Sequence, residues 1–306
     1  MNRVRRRKGR NVSGIVVLDK AKGLSSNAAL QEVKRIYGAN KAGHTGSLDP
    51  LATGVLPICL GEATKVSQFL LESDKKYRAR LKLGIRTDSA DSEGVVIGQC
   101  EDFVVTAKDV EKALQSFRGE IEQIPPMYSA LKVDGVPLYK LARKGQTIAR
   151  EPRRITVYSI ELTDFAADEI ELEIACSKGT YIRTIADDLG QALACGAHVI
   201  ALHRTQAGAF TEEECVSTEF LMQEKEARGM QGIDEILVPM DRAISDLPEV
   251  TLPSLTASCL RQGQAVLVRH LPAEGLVRLY EEGQFIGIGS IDEDGKVAPR
   301  RLIVNS

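Results

Sequence analysis

The sequence predicts an α+β protein: a large domain on a central mixed or antiparallel sheet flanked by helices, then a small β-rich module. Three observations predict it. Period-two alternation over Tyr77, Ala79, Leu81, Leu83 and Ile85, and again over Ile170, Leu172, Ile174 and Cys176, marks half-buried strands. Segments with helical spacing lie between such runs. From about Pro248 the texture changes to short apolar runs parted by Gly275, Gly283, Gly287, Gly289 and Gly295. Hairpin-like alternation dominates, which favours an α+β arrangement over a doubly wound parallel sheet. At 306 residues the chain suits one large domain and one small one.

In chain order, residues 1–12 read as a flexible basic arm, 13–247 as the large domain and 248–306 as the small module. Gly14 to Asp19 is a β-branched strand. Ser25 or Ser26 caps a helix that runs to Tyr37, with Leu30, Val33 and Tyr37 on one face and Gly38 as its stop. Residues 42–57, punctuated by Gly and Pro, read as a loop. A helix over 62–73 turns Val66, Phe69 and Leu70 inward, and another runs from Thr106 to Phe117 and ends at Gly119. A helix opens after Lys178-Gly179-Thr180, with Ile182, Ile185, Ala186 and Leu189 inward. The acidic stretch 211–247 reads as helical and linker-like.

Hydrophobic residues make up 43% of the chain, enough for a sizeable core. The net charge of −2 conceals an asymmetry. Residues 1–50 hold 11 Lys+Arg against 3 Asp+Glu, a local +8, which leaves −10 on the remainder. A basic front suits a polyanion partner, although a solvated tail has the same composition. The six cysteines form no CxxC pair, no apolar run follows the basic N-terminus, and no stretch of about 18 apolar residues could span a membrane. The expectation is a reduced cytoplasmic protein.

Gly43-His-Thr-Gly-Ser-Leu-Asp-Pro-Leu-Ala-Thr-Gly54 is the segment with the clearest chemical signal. Asp49 is its one charged residue from Leu48 to Leu60, and Pro50 biases it away from helical geometry. A lone carboxylate among Leu, Val, Ile and Cys is costly unless a cation pairs with it, and functional sites tolerate that cost. A turn-forming Asp is the competing reading. Taken singly, His44 reads as incidental, Tyr77 as a core aromatic, and Tyr181 and Arg183 as cap and surface of a helix. Cys195, His198 and His203 have a zinc-like spacing but no completing cysteine pair. Neither GxxxxGK[ST] nor a complete GxGxxG is present, so no cofactor and no metal is expected. Basic residues cluster in the arm, over 132–154 and at Arg300-Arg301.

Asn40 to Pro57 closely resembles the catalytic motif of the TruB-type tRNA pseudouridine synthases. The likeness extends through Gly14–Lys20, Lys76-Tyr77, Pro126–Lys132, Cys176–Thr184 and Gly196–Arg204, and covers most of residues 12–210. The tail, about 250–304, resembles the family's small β module, related to PUA RNA-binding domains. One departure is Ala21-Lys22 after Lys20, where many relatives have a Pro; it is expected to adjust a turn. The resemblance implies a pseudouridine synthase fold and isomerisation of uridine 55 in the tRNA T loop without a cofactor. It makes Asp49 the catalytic carboxylate and places Tyr77 on the target base. Arg183 pairs with Asp49 and keeps it ionised, and Tyr181 and Leu202 line the pocket. His44 contacts the T loop, and Lys20 joins the substrate-binding set. It further implies base flipping, a possible tRNA-folding activity, and a stand-alone monomer with tRNA as its partner. The rivals are a noncatalytic RNA-binding protein, a small-molecule hydrolase with an Asp nucleophile, and a guide-RNA-dependent relative acting on ribosomal RNA.

Overall fold

The computed structural model describes residues 9–269, 271 and 274–304. Most of the basic arm, residues 1–8, lies outside the described residues. Residues 9–12 lie against the body rather than free: the Arg10 guanidinium binds the Asp234 carboxylate, and its N–H donates to Gly38 O at 2.5 Å.

The first third of the chain contributes β1 (Gly14–Lys20), α1 (Ser26–Tyr37), β2 (Ala42–His44), β3 (Thr53–Leu60), α2 (Ser67–Glu72), β4 (Lys75–Leu83), β5 (Ile85–Thr87) and β6 (Val96–Gln99). Then come α3 (Ala107–Leu114), β7 (Gly119–Gln123), β8 (Lys132–Val133), β9 (Val136–Pro137) and α4 (Leu138–Ala142). The large domain closes with β10 (Arg153–Ala166), β11 (Glu169–Cys176), α5 (Ile182–Ala192), β12 (Ala197–Ala207), β13 (Phe210–Thr211) and α6 (Thr218–Asp234). The small module holds β14 (Glu249–Thr251), α7 (Ser254–Arg261), β15 (Val266–Leu267), β16 (Gly275–Glu281), β17 (Gln284–Ile291) and β18 (Lys296–Leu302).

The main sheet runs β1-β3-β12-β4-β11-β10-β7, with β2 on β3 and β13 on β12. Its pairs are antiparallel except β3 with β12, which are parallel at His203↔Thr53 and Arg204↔Gly54. The sheet is therefore mixed, and its one parallel contact brings two motif segments side by side. The expected loop 42–57 is shorter than its punctuation suggested, because β2 and β3 occupy both of its ends. Every residue from Val55 to Leu60 is buried, so β3 has no polar face and no period-two signal. Pro57 stands between the stretches where β3 bonds along that edge, Thr53–Gly54 to β12 and Ile58–Leu60 to β2. Its missing N–H breaks neither ladder.

Local capping works as the sequence predicts at α1. Ser25 Oγ accepts the Ala28 N–H at 3.1 Å, and Gly38 closes the helix with φ 60°. Ala29, Leu30, Val33, Ile36 and Tyr37 are buried in the core. The helix expected over 62–73 is a single 3₁₀ turn, Gly61–Lys65, followed by α2, with Val66 and Leu70 buried as predicted. Ile85 belongs to the separate β5–β6 hairpin rather than to β4.

The acidic stretch 211–247 is no linker. Helix α6 packs on α1, where the Tyr37 hydroxyl donates to Ile233 O at 2.7 Å. Val216 and Val238 exchange backbone bonds with β1, which covers that sheet edge. The small module is a five-stranded sheet, β14-β16-β17-β18-β15, and carries helix α7 where the glycine-rich texture suggested strands alone. Ile288 of β17 joins a second core with Ile15, Val17, Val66, Leu70 and Ile244, so the module sits on the large domain. Lys65 Nζ donating to Leu302 O at 2.8 Å reinforces that seat.

Candidate active site

A cleft of about 690 Å³ opens over one face of the main sheet. Asp49 stands in it, on the loop from β2 to β3. Its neighbours Leu48, Leu51 and Ala52 are buried and anchor that loop. The Leu48 N–H donates to Ser26 Oγ at 2.7 Å and Ser26 Oγ donates to Leu48 O at 3.0 Å, which ties the loop to the first turn of α1. The Ala52 N–H donates to Asp49 O at 3.0 Å and closes the turn. With both flanks pinned inward, the Asp49 carboxylate projects into the cleft, where its side chain is 38% exposed.

Arg183 reaches Asp49 from the first turn of α5. It is 3% exposed, buried rather than the surface residue its helical position suggested. Nη2 donates to Asp49 Oδ1 at 3.2 Å, and Nε lies 2.8 Å from Oδ2 as an ion-pair contact. Nη1 donates to Ser89 O at 2.9 Å and Nη2 to Tyr128 O at 2.7 Å. A second carboxylate, Asp91, lies with Oδ2 at 3.6 Å from Nη1. Asp91 is itself buried, and its Oδ1 accepts from Ser89 Oγ at 2.5 Å and from the Glu93 N–H at 3.1 Å. One guanidinium thus bridges two acids and two carbonyls, a geometry a lysine could not reproduce.

Arg183 favours the ionised form of Asp49, as expected, but it is not the largest influence on the carboxyl. Burial raises the Asp49 carboxyl above the usual carboxylate range, Arg183 opposes that rise, and the like charge of Asp91 adds to it. The carboxylate is held in place by its cation but remains a stronger base than an exposed aspartate.

The cleft face of the sheet supplies the rest. Tyr77 and Ala79 of β4 lie directly opposite Arg204 and Leu202 of β12. Alternation puts all four side chains on one face. Tyr77, Leu202 and Arg204 line the cleft, as does Tyr181 at the start of α5. Gln123 fixes Tyr181 through both backbone groups, accepting its N–H at 2.8 Å and donating to its carbonyl at 3.1 Å. Burial raises the phenols of Tyr77 and Tyr181, and Arg204 pulls Tyr77 back. From the basic stretch 132–154, Tyr139 and Arg143 reach the cleft wall, with the guanidinium 5.5 Å from the ring centroid.

Two residues of the expected substrate-binding set lie outside the cleft lining. Lys20 is not among the lining residues. Fully buried, its Nζ donates to Leu24 O at 2.6 Å, Ala21 O at 2.9 Å and Pro50 O at 3.5 Å, with burial lowering its pKa to about 8. It braces the Asp49 loop from behind, and the Gly23 N–H, donating to Pro50 O at 2.7 Å, completes the turn at Ala21-Lys22. His44 also lies outside the lining, on β2. Its Nδ1 is buried without a partner, and burial lowers its pKa. Cys195, His198 and His203 are engaged separately. Cys195 Sγ contacts Gly196 O, His198 Nδ1 contacts Ile85 O, and His203 joins Thr53 to Glu212 at 2.8 Å on each side.

Three family models tile this architecture: "TruB family pseudouridylate synthase (N terminal domain)" over residues 34–182, "tRNA pseudouridylate synthase B C-terminal domain" over 183–245, and "Pseudouridine synthase II TruB, C-terminal" over 248–303. Among curated proteins, the tRNA pseudouridine synthase B of Tolumonas auensis is 54% identical over 311 residues, covering 99% of this chain and 96% of that protein. The chain belongs to the TruB family of pseudouridylate synthases. The Vibrio vulnificus tRNA pseudouridine synthase B is likewise 54% identical, over 98% of both chains. Among solved structures, a Cbf5-Nop10-Gar1 complex matches with a TM-score of 0.72 at 26% identity over 96% of this chain and 84% of that one. An H/ACA RNP bound to a substrate RNA matches in fold with a TM-score of 0.74 over 95% of this chain and 85% of that one.

For a TruB-family pseudouridylate synthase, sequence reasoning gathered Asp49, Tyr77, Tyr181, Arg183 and Leu202, and the fold brings all five to one cleft. It missed Asp91 and gave Arg204 no role. Asp91 sits in an acidic turn, Asp88-Ser-Ala-Asp-Ser-Glu, with nothing local to distinguish it from a solvated one. Arg204 follows Leu202 at strand spacing, a signal that becomes legible once β12 is recognised as a strand.

Proposed function

We propose that this pseudouridylate synthase acts on tRNA in the cytoplasm and converts uridine 55 of the T loop, with Asp49 as the essential carboxylate. The observation that carries this reading is the Asp49–Arg183 pair set in one cleft with Tyr77 and Leu202. Isomerisation breaks the C1′–N1 bond, rotates the uracil and joins C5 to C1′. The C5 proton leaves and N1 gains one. Asp49 meets the sugar as the anionic partner, whether it adds to C1′ or removes a sugar proton, and an amide can do neither. Arg183 fixes the carboxylate's direction. Tyr77 and Leu202 offer a flat wall for the detached base, and the recessed site limits its escape.

The target must leave its stack to reach this cleft, at a cost of about a few kcal/mol. Backbone contacts from the basic stretch 132–154 offset that cost in this reading, as do contacts from the small module acting as a PUA-like RNA-binding domain. His44 meets the T loop from its place on β2. The same binding opens the tRNA elbow and assists tRNA folding independently of chemistry. The enzyme works as a monomer without a protein partner. The experiment is tritium release from tRNA labelled with [5-³H]uridine by the purified chain alone. Stoichiometric release confined to position 55 is expected. Absence of release, or release from transcripts lacking that uridine, would overturn the reading.

A further inference from the structure

His203, grouped by spacing with Cys195 and His198, has neighbours of its own. Strand alternation puts its side chain on the face of β12 opposite to Leu202 and Arg204, away from the cleft. It is the direct partner of Thr53 in the parallel pairing of β3 with β12. Gly54 clears the space for the ring, since a Cβ there would stand 2.9 Å from His203 Cε1. Nε2 lies 2.8 Å from Glu212 Oε2, and Nδ1 lies 2.8 Å from Thr53 Oγ1. Thr53 Oγ1 in turn lies 3.5 Å from the carbonyl oxygen of Leu202, a residue that lines the cleft. A chain of polar groups thus runs from the outer face of the sheet to the backbone of the cleft wall. An opening of about 280 Å³, lined by Asp19, Gly54, His203, Glu212, Glu213 and Cys215, gives solvent access to the imidazole.

We infer that His203 and Thr53 are positioning residues for the cleft wall: protonation of His203 turns the Thr53 hydroxyl toward the Leu202 carbonyl and steadies Leu202 against the uracil. This rests on the isomerisation proposed above, in which Leu202 forms part of that wall. The Thr53 hydroxyl has one hydrogen to give and two acceptors in reach. Beside the Glu212 carboxylate, neutral His203 keeps its hydrogen on Nε2 and donates it there. Nδ1 is then a lone pair that takes the Thr53 hydrogen, and the Leu202 carbonyl goes without it. Protonated His203 carries hydrogen on both nitrogens. Nδ1 then donates to Thr53 Oγ1, and the Thr53 hydrogen is released to Leu202 O, which at 3.5 Å stands at the limit of reach. Histidine is the side chain that ordinarily changes charge near neutral pH. The titratable groups sharing its opening are Asp19 of β1 and Glu212, Glu213 and Cys215 after β13. Arg78 of β4 stands opposite it across the strands, with Nη2 3.7 Å from Glu212 Oε1, so the two cations share one carboxylate.

The test is the pH profile of single-turnover conversion of tRNA at saturating enzyme, read beside an NMR titration of the His203 ring. The wild type is compared with His203→Arg, Thr53→Val and Thr53→Ser. Arginine has donors only, so it leaves the Thr53 hydrogen to Leu202 at every pH. The wild-type rate is expected to fall about fivefold, the worth of one hydrogen bond, as pH rises through the His203 titration. His203→Arg is expected to hold the faster rate without that fall. Thr53→Val is expected to hold the slower rate without it, and Thr53→Ser to restore it. A wild-type rate that stays level through the His203 titration would overturn the inference, as would a fall that persists in His203→Arg or Thr53→Val. Should Thr53→Val fail to fold by circular dichroism, His203→Arg decides alone: a lost fall supports, a retained one overturns. No product from the wild type at any pH is a separate outcome, which counts against the proposed function and removes this inference with it.

Discussion

At the scale of single residues, the proposed function turns on Asp49 and the cation that holds it. Its carboxyl is shifted upward, with burial as the leading cause. The folded protein therefore binds that proton more tightly than the unfolded chain does. Ionised Asp49 costs stability above its ordinary carboxylate pKa, and the cost is relieved as pH falls through the raised folded value. Asp49→Asn should accordingly melt no lower than the wild type at neutral pH while losing turnover, and a drop of several degrees would contradict this. The same shift places the acid limb of the single-turnover pH profile above the pH at which an exposed aspartate titrates. Arg183→Met is the opposite case. It strands the buried Asp91 carboxylate, which is 4% exposed, and should destabilise the fold by about 3 kcal/mol. Denaturant unfolding checks it, and adding Asp91→Asn should recover part of that stability. Asp49 was legible in the sequence as a lone charge in an apolar run. Arg183 was legible as a position but not as buried, because helical periodicity says which face a residue takes and not what lies over it. Asp91 was illegible, since its role exists only through an approach to Arg183 across 92 positions of chain.

At the scale of elements, the parallel pairing of β3 with β12 organises the site. Gly54 makes it possible. Its φ is 95°, and a Cβ there would stand 2.3 Å from Arg204 O. Gly54→Ala should push β12 away, move Leu202 and Arg204 off the cleft face, and cost about 1–3 kcal/mol from backbone strain alone. Urea unfolding with a parallel activity assay checks both parts, and near-wild-type stability would show that the strands tolerate separation. Elements with one polar face were legible: α1 between Ser25 and Gly38, β4, and β11. Strand β3 was not, because burial on both faces removes alternation and because Gly54 and Pro57 look like loop punctuation. The 14-residue β10 was hidden by a basic start, Arg153-Arg154, that reads as surface charge. Helix α7, between Pro253 and Gly263, was hidden by being read together with the glycine-punctuated strands that follow it.

At the scale of the molecule, the charge asymmetry and the seat of the small module carry the consequences. Arg143 lies on the cleft wall within the basic stretch, so neutralising Arg143, Lys144 and Arg150 together should weaken tRNA binding. It should also flatten the slope of log K against log salt by about 0.7 for every phosphate that these side chains neutralise in the wild type. An unchanged slope would leave that stretch a solvated surface. Opening of the tRNA elbow and catalysis should separate: a 2-aminopurine probe in the T loop should unstack with Asp49→Asn as it does with the wild type. The most direct test of Asp49 as the essential carboxylate is single-turnover tritium release from tRNA labelled with [5-³H]uridine, run with Asp49→Asn at enzyme concentrations that saturate the RNA. Normal tRNA binding and no release are expected. Release at even a tenth of the wild-type rate would contradict that role.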